Sequence, residues 1–134
     1  MHHDLPFSTK GTLIEALGME MIEATPDKMV MTMPVNEKTK QPAGLLHGGA
    51  SVALAETVAS LGAWRHIDLE TQQAVGLEIN ANHLRPKTDG TVTAIGTPLF
   101  RGRKTMVWEV KIMDENDKLI SISRCTVAVI SKSS

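Results

Sequence analysis

The pattern of apolar and polar positions predicts one long helix followed by four strands. From Ala50 to Trp64, apolar residues occupy every side of a helical wheel and are interrupted by Glu56 and a few small polar residues. Such a helix is expected to be surrounded by protein. Four later runs are rich in valine, isoleucine and threonine, as strands are: residues 73–84, 91–100, 105–113 and 119–130. The polar separators between these strands are typical of tight turns: residues 87–90, 101–104 and 114–117.

The residues before the long helix predict a short helix, a hairpin and a loop. Ser8 can cap a short helix that runs through Leu13, Ile14, Ala16 and Leu17, and Gly18 lies where a glycine after a helix is favoured. Apolar and polar positions then alternate through residues 19–35 on both sides of a Thr-Pro-Asp-Lys turn, as in a β-hairpin. Residues 36–44 are polar and contain a proline, which indicates a loop leading to the long helix.

Together these elements predict an α+β fold in which an antiparallel β-sheet wraps around a long central α-helix. A parallel doubly wound sheet is disfavoured, because no helices alternate with the later strands. The length of 134 residues is enough for one core, so residues 1–134 are expected to form a single domain. With eight methionines and no tyrosine, the core is expected to rely on aliphatic and thioether side chains.

The charge balance excludes several classes of partner. Fourteen basic residues face fifteen acidic ones, so no global field is expected to attract nucleic acid or an anionic membrane. The longest apolar stretch is shorter than the ~20 residues that cross a bilayer. The first residues lack the pattern of a signal peptide, and one cysteine, Cys125, suits a reducing compartment, so a cytoplasmic location is expected. Cys125 is interpreted as a buried structural thiol, and the histidine spacing predicts no metal.

Glu56 is the first candidate for chemistry, because it lies in the middle of the apolar helix. Burying an unpaired carboxylate raises its pKa, and a raised pKa suits a general base near neutral pH. Ser60 is one turn further along and can hold the carboxylate or a water molecule. A solvated stripe of Glu56, Thr57 and Ser60, or a structural ion pair, would give the same pattern, and both interpretations remain open.

Gly48 and Gly49 at the helix start are the second candidate feature. The first backbone N–H groups of a helix have no intrahelical partner and lie at the positive end of its dipole, so they can bind an oxygen that gains negative charge. A simple tight turn is the alternative interpretation. Eight residues separate Gly48 from Glu56, or ~12 Å along one helix, so one carbonyl group does not reach both. If both act on one substrate, they are expected to come from two antiparallel helices in a dimer.

The chain resembles one known family in four places: Gln41, the Gly-Leu-Leu-His-Gly-Gly-Ala-Ser run from residue 44, the Leu-Ala-Glu that ends at Glu56, and the Gly-Leu-Glu-Ile-Asn-Ala-Asn-His run from residue 76. These residues resemble the Arthrobacter-type 4-hydroxybenzoyl-CoA thioesterase branch of the hot-dog superfamily. Over nearly the whole chain the resemblance extends to the 1,4-dihydroxy-2-naphthoyl-CoA and aryl-carrier-protein thioesterases of that branch.

The resemblance implies a role for each matching residue. Glu56 would be the nucleophile or the general base for water, and the Gly48 N–H would polarise the thioester carbonyl. Gln41 and His47 would orient the thioester, and Ser60 would help to place the hydrolytic water. Further residues would contact the substrate channel or the CoA nucleotide: Gly76, His83, Leu84, Arg85, Pro86, Phe100, Arg101, Gly102, Arg103, Lys104 and Thr105.

The basic turn near residue 101 also stands out without the resemblance. Arg101, Arg103 and Lys104 surround a glycine and offer charge-assisted donors for phosphates, although an ordinary solvated surface has the same composition. The expected function is hydrolysis of an acyl-CoA, with a hydroxylated aromatic acyl group first and a medium-chain group second, without metal or redox cofactor. A homodimer with shared sites, paired into a dimer of dimers, is expected. A hot-dog hydratase or dehydratase and a non-catalytic acyl-CoA-binding module are the alternatives.

Overall fold

A computed structural model describes residues 7–132. The elements follow in the order α1 (Leu13–Ala16), β1 (Glu20–Thr25), β2 (Lys28–Pro34), α2 (Gly48–Trp64), β3 (Gln72–His83), β4 (Thr91–Arg101), β5 (Thr105–Met113) and β6 (Leu119–Ser131). The six strands form one sheet in the order β1-β2-β4-β5-β6-β3, and all neighbours are antiparallel. The predicted α+β fold, with an antiparallel sheet wrapped around the long helix, is confirmed.

The short first helix ends as predicted but begins differently. Gly18 has φ +73°, and the N–H groups of Gly18 and Met19 donate to the carbonyls of Glu15 (3.1 Å) and Ile14 (2.9 Å), which is a Schellman motif. The prediction that Ser8 caps this helix is wrong. The Ser8 hydroxyl accepts from the Lys10 N–H instead, because Gly11 has φ +75° and keeps the chain out of helical geometry until Leu13.

Two predicted turns have different limits in the structure. The connection from β3 to β4 is a seven-residue loop, residues 84–90, and not a tight turn at residues 87–90 alone. Its length follows from contacts at both ends, since the Leu84 N–H donates to the Ile120 carbonyl and the Val35 N–H donates to the Gly90 carbonyl. The turn between β4 and β5 is shorter than predicted, because β4 continues to Arg101.

The core lies between α2 and the concave face of the sheet. Leu54 and Val58 on α2 are fully buried, and so are Met29, Met31 and Met33 of the first hairpin, which confirms their predicted packing role. Gly62 allows the Trp108 ring to lie directly against α2, where an added Cβ would be 2.5 Å from the ring.

Within one chain the sheet covers only one side of α2, so the expectation that protein surrounds this helix is wrong for the single chain. The sheet-facing positions are buried, whereas a stripe on the opposite side is half-buried: Ala53, Glu56, Thr57, Ser60 and Trp64. The stripe carries the polar side chains of Glu56, Thr57 and Ser60, whereas the buried side is almost entirely apolar, so the interpretation of these three residues as a polar stripe fits the single chain. This stripe includes the first chemical candidate, Glu56.

Strand β3 forms one edge of the sheet described over residues 7–132 and pairs with β6 alone. Its register shifts between Gly76 and Glu78, so Leu77 is the extra residue of a bulge. Val75 and Leu77 are 40% and 61% exposed. A long edge strand with exposed apolar side chains is a surface suited to pairing with another chain.

Candidate active site

A cavity of about 310 Å³ opens beside the first turn of α2 and is called the Gly48 cavity here. It brings together several residues that the sequence singled out from distant positions. The residues that line it are Gln41, Leu45, Leu46, Gly48, Ser51, His83, Leu84, Arg85, Pro86 and Ile120. The predicted channel residues 83–86 therefore lie beside the predicted carbonyl-binding helix start.

The helix start distinguishes Gly48 from Gly49. His47 is the N-cap of α2, and its Nδ1 accepts a hydrogen bond of 2.7 Å from the Gly49 N–H. An accepting Nδ1 assigns the ring proton of neutral His47 to Nε2. The Gly48 N–H has no hydrogen-bond acceptor within residues 7–132. Of the two glycine amides, Gly48 is therefore the one available to a ligand, at the positive end of a 17-residue helix.

Gly48 is also fixed by its contact with His83. A Cβ added at Gly48 would be 2.9 Å from Nε2 of His83, so the imidazole lies directly over the glycine Cα. This close approach explains why the position takes glycine and no larger residue. The role of His47 that the structure shows is helix capping, and its role in orienting a thioester stays a prediction.

Gln41 enters the Gly48 cavity from a tight loop. Its backbone N–H donates to the Leu45 carbonyl at 2.8 Å, and its side-chain Oε1 accepts from the Ala43 N–H. Gly44 completes the loop with φ +86°. Because the amide oxygen of Gln41 is occupied by the loop, its NH₂ group is the part that can serve as a donor in the cavity.

A second cavity, of about 360 Å³, lies further along α2 and is called the Glu56 cavity here. Its lining residues are Leu13, Ile14, Ala53, Glu56, Thr57, Ser60 and Leu61. The Thr57 hydroxyl donates back to the Ala53 carbonyl at 2.6 Å. The Glu56 carboxylate forms no hydrogen bond or ion pair in the part of the chain that is described. The polar groups left for a ligand are therefore those of Glu56 and Ser60.

Gly76 on β3 determines where the Glu56 carboxylate can lie. The space for a Cβ at Gly76 is occupied by Oε2 of Glu56, so the carboxylate packs flat against the strand. Nearby Cys125 is buried, as predicted, and its pKa is raised to about 12 by burial and, to a lesser extent, by the charges of Glu56 and Glu78. Such a thiol is not a nucleophile at neutral pH.

The two cavities share no lining residue, although both adjoin α2. Gly48 and Glu56 are eight residues apart, which corresponds to ~12 Å along a helix. One chain thus presents an unpaired backbone donor in one cavity and an unpaired carboxylate in another. Each cavity provides half of what carbonyl hydrolysis requires.

The predicted nucleotide-binding turn lies beyond the C-terminal end of α2, away from Gly48. The Arg101 guanidinium pairs with the Asp27 carboxylate and donates to the Pro26 carbonyl at 2.8 Å, so it is already occupied. The pKa of His66, just after α2, is lowered by burial and then by the nearby charge of Arg101. Three other members of the turn are exposed on the surface: Phe100, Arg103 and Lys104. Gly102 and Thr105 are half-buried, and the Gly102 N–H donates to the Thr105 carbonyl at 2.8 Å.

Sequence reasoning missed several wall residues of both cavities. Ala53 and Leu61 share one face of α2 with Glu56 and Thr57, and this spacing could have identified them. Leu13 and Ile14 reach the same cavity only because α1 packs over α2, a long-range contact with no local signal in the sequence. Within residues 7–132, no group of three or more potential ligands could hold a metal ion, and no helix is long and apolar enough to cross a membrane.

Comparisons with known proteins agree with this fold. Residues 43–121 match the family model of the thioesterase superfamily. Over 92% of this chain and 98% of the relative, the sequence is 58% identical to ComA2 of Bacillus subtilis, which is provisionally named an esterase. It is 49% identical to the 1,4-dihydroxy-2-naphthoyl-CoA hydrolase of Listeria monocytogenes, over 90% of this chain and 97% of that protein.

A solved structure is similar as well. The crystal structure of the thioesterase HI1161 from Haemophilus influenzae superposes with a TM-score of 0.88 at 46% identity, covering 92% of this chain and 85% of that one. The sheet order, the helix on its concave face and the sequence matches all agree with the hot-dog fold expected from the resemblance. The chain therefore belongs to the thioesterase superfamily and is a hot-dog-fold thioester hydrolase.

Proposed function

We propose that the chain hydrolyses the CoA thioester of a hydroxylated aromatic acid, in a dimer whose active sites combine Glu56 of one subunit with Gly48 of the other. The observation that supports this proposal is the separation of the two half-sites. The free Gly48 N–H lines one cavity, and the unpaired Glu56 carboxylate lines another that shares no residue with it. A second copy of the chain supplies the missing half to each.

The exposed edge of β3 supports one arrangement of this dimer. Gly76 contacts Glu56, and His83 contacts Gly48, so the two half-sites lie at different positions along the same strand. If two β3 strands pair antiparallel about a twofold axis near Ile79, Gly76 of one subunit lies opposite His83 of its partner. Each Glu56 then approaches the partner's Gly48. We expect two such dimers to associate further.

The proposed reaction needs only groups of this chain and water. The thioester carbonyl oxygen accepts from the Gly48 N–H, which stabilises the negative charge that develops in the transition state. Glu56 either takes a proton from the attacking water, or it attacks the carbonyl itself, so that the C–S bond breaks, the CoA thiolate leaves and water then cleaves the resulting anhydride. Ser60 is one turn from Glu56 and is suited to hold that water. The products are the carboxylic acid and free CoA thiol, and no metal or redox cofactor takes part.

The walls of the Glu56 cavity suit an apolar acyl group that carries a polar substituent. Leu13, Ile14 and Leu61 offer apolar contact, and the Ser60 hydroxyl offers a hydrogen bond to a polar substituent. Two relatives, from Listeria monocytogenes and Escherichia coli, are named 1,4-dihydroxy-2-naphthoyl-CoA hydrolases, at 49% and 42% identity. We infer the same class of substrate here. Arg103 and Lys104 are the free cations proposed to meet the CoA phosphates.

Release of free thiol from a panel of CoA thioesters tests this function. The panel contains hydroxybenzoyl, dihydroxynaphthoyl and octanoyl thioesters, and each is offered to the wild-type chain, to Glu56→Ala and to Glu23→Ala. Loss of a general base costs roughly 10²–10⁴-fold in rate, so Glu56→Ala should be nearly inactive. Glu23→Ala removes a carboxylate on β1, outside both cavities, and should behave as wild type. Binding of thioesters without Glu56-dependent release would contradict the proposal and favour an acyl-CoA-binding module.

A further inference from the structure

The loop of residues 84–90 forms one wall of the Gly48 cavity but has no place in the sheet. Leu84, Arg85 and Pro86 line the cavity, and the strand ladder resumes only at Thr91. The position of the loop therefore depends on a few contacts beyond the sheet. One of them is a hydrogen bond of 2.8 Å from the Leu46 N–H to the Lys87 carbonyl, which joins this wall to the opposite one.

Glu115, on the turn between β5 and β6, binds this loop at two points. One carboxylate oxygen is 2.5 Å from Nζ of Lys87, and the other accepts from the Thr91 N–H at 2.9 Å. The same carboxylate fills the space where a Cβ on Gly90 would lie, and Gly90 has φ +80°. Glu115 thus fixes the loop at its middle and at its end.

The electrostatics of this contact keep it formed over a wide pH range. The pKa of Glu115 is lowered to about 2, first by the Lys87 hydrogen bond and then by the Thr91 N–H. The pKa of Lys87 is raised, again chiefly by its hydrogen bond with Glu115. Both groups are therefore charged at every pH at which the protein would be assayed.

The turn that bears Glu115 is itself held by Asp114. The Asp114 carboxylate accepts from the N–H groups of Asn116 (2.8 Å) and Lys118 (2.9 Å), and the Asp114 N–H donates to the Lys118 carbonyl at 2.9 Å. Hydrogen bonds therefore hold the backbone of the turn on both sides of Glu115. The Glu115 carboxylate is in this way placed to bind the loop.

We propose that Glu115 is a positioning residue of the thioester site. Through Lys87 it holds two parts of the Gly48 cavity, the wall of residues 84–86 and the chain at Leu46, in the positions that allow a thioester to bind beside Gly48. Leu46 immediately precedes His47, the cap of α2, so the same contact reaches the entry to the helix. This inference rests on the proposed function for its kinetic consequence. Its structural consequence, that Glu115 holds the loop in place, is independent of the proposed function.

The kinetic test uses Glu115→Ala and Glu115→Gln, with Glu23→Ala as the matched control. Like Glu115, Glu23 forms an ion pair with a lysine on the surface, with Lys28 at 3.7 Å, but its hairpin lines neither cavity. We expect KM for the aryl-CoA thioester to rise about fivefold in Glu115→Ala, because a misplaced wall weakens binding. Glu115→Gln keeps an acceptor for the Thr91 N–H and should lie between Glu115→Ala and wild type.

Amide hydrogen exchange gives a readout that needs no activity. In Glu115→Ala, exchange at Leu46 and Thr91 should become faster by about tenfold, while the amides of β1 and β2 keep their wild-type rates. Wild-type rates at Leu46 and Thr91 would overturn the proposal, and so would an unchanged KM in a folded variant. If the wild-type chain releases no thiol, the proposed function fails, and exchange alone still decides whether Glu115 holds the loop.

Discussion

The Gly48 cavity and the Glu56 cavity adjoin the same helix but are built from different kinds of structure. The Gly48 cavity is formed where loops and strand ends from four parts of the chain meet, and backbone hydrogen bonds join them. The Glu56 cavity is formed by side chains on one face of α2 and on α1. A fixed backbone donor suits charge stabilisation, whereas side-chain walls suit selection of the acyl group. Displacing the Gly48 donor or the Glu56 carboxylate should therefore alter rate, whereas changes in the apolar walls of the Glu56 cavity should alter substrate choice.

Among substitutions that displace a reacting group without removing it, the largest effect on rate is expected for Gly48→Ala. The new Cβ would be 2.9 Å from Nε2 of His83, so the helix start or the ring must move. Displacing the donor should lower kcat by roughly 10²-fold, as removal of an oxyanion donor does. Steady-state kinetics on one aryl-CoA thioester, with circular dichroism as a check of folding, measures this. A wild-type kcat would show that the position of the Gly48 amide does not matter.

Gly76→Ala tests the carboxylate from the opposite side. The added methyl group would take the space of Oε2 of Glu56 and force the side chain away from β3. We expect a decrease in kcat of about tenfold, smaller than for Gly48→Ala because a side chain can rotate where a backbone cannot. Glu23→Ala, on β1 and outside both cavities, is the control. Equal kcat values for Gly76→Ala and Glu23→Ala would mean that contact with Gly76 does not place Glu56.

Leu13→Ala tests whether the Glu56 cavity selects the acyl group. Leu13 is 56% exposed and lines the cavity from α1, so its truncation should leave the fold intact. The ratio of kcat/KM for a naphthoyl thioester to that for acetyl-CoA should fall by about tenfold, because a contact with the larger group is lost. Leu69→Ala removes an exposed leucine that lines neither cavity and should preserve the ratio. If Leu13→Ala also preserves the ratio, Leu13 does not take part in selecting the acyl group.

The smallest effect on activity is expected for treatment with a thiol reagent. The target, Cys125, is buried in the core near Glu56. Its pKa of about 12 leaves almost no thiolate at pH 8, so a maleimide should not react with the folded protein over an hour. Mass spectrometry should detect labelling only after denaturation, and thioester hydrolysis should be unchanged. Labelling of the native protein would show that the β6 side of the Glu56 site opens to solvent.

The sequence predicted the elements of the fold because each has a local signal. The apolar helix, the alternating hairpin and the Gly18 stop are all read from neighbouring residues. The open face of α2 has a signal in Glu56, Thr57 and Ser60, but apolar residues on every side of the helical wheel left the sequence compatible with a fully surrounded helix as well. The sequence predicted only a short turn where a seven-residue loop precedes β4, because the contacts that stabilise this loop come from Glu115 and Val35, far along the chain.

The candidate site was predicted less evenly than the fold. A carboxylate within an apolar helix is conspicuous, so Glu56 could be found from the sequence alone. That the Gly49 N–H is hydrogen-bonded and the Gly48 N–H is free could not be found in this way, because it depends on the orientation of the His47 side chain. The contact between Gly76 and Glu56, and the wall formed by Leu13, depend on tertiary packing between distant elements. Those contacts are visible only in three dimensions.

Subunit complementation tests the central claim most directly. Gly48→Pro removes the N–H at the first helical position, and His47 already has the extended φ and ψ of −68° and 130° that a residue before proline adopts. Its ring carbons also displace the His83 side chain, as in Gly48→Ala, so circular dichroism checks that the variant is folded. Gly48→Pro and Glu56→Ala chains should each be inactive alone. Co-refolded heterodimers, confirmed by mass spectrometry, should regain about half of the wild-type activity, since one of two sites is then complete. Inactive heterodimers would contradict a site shared between subunits.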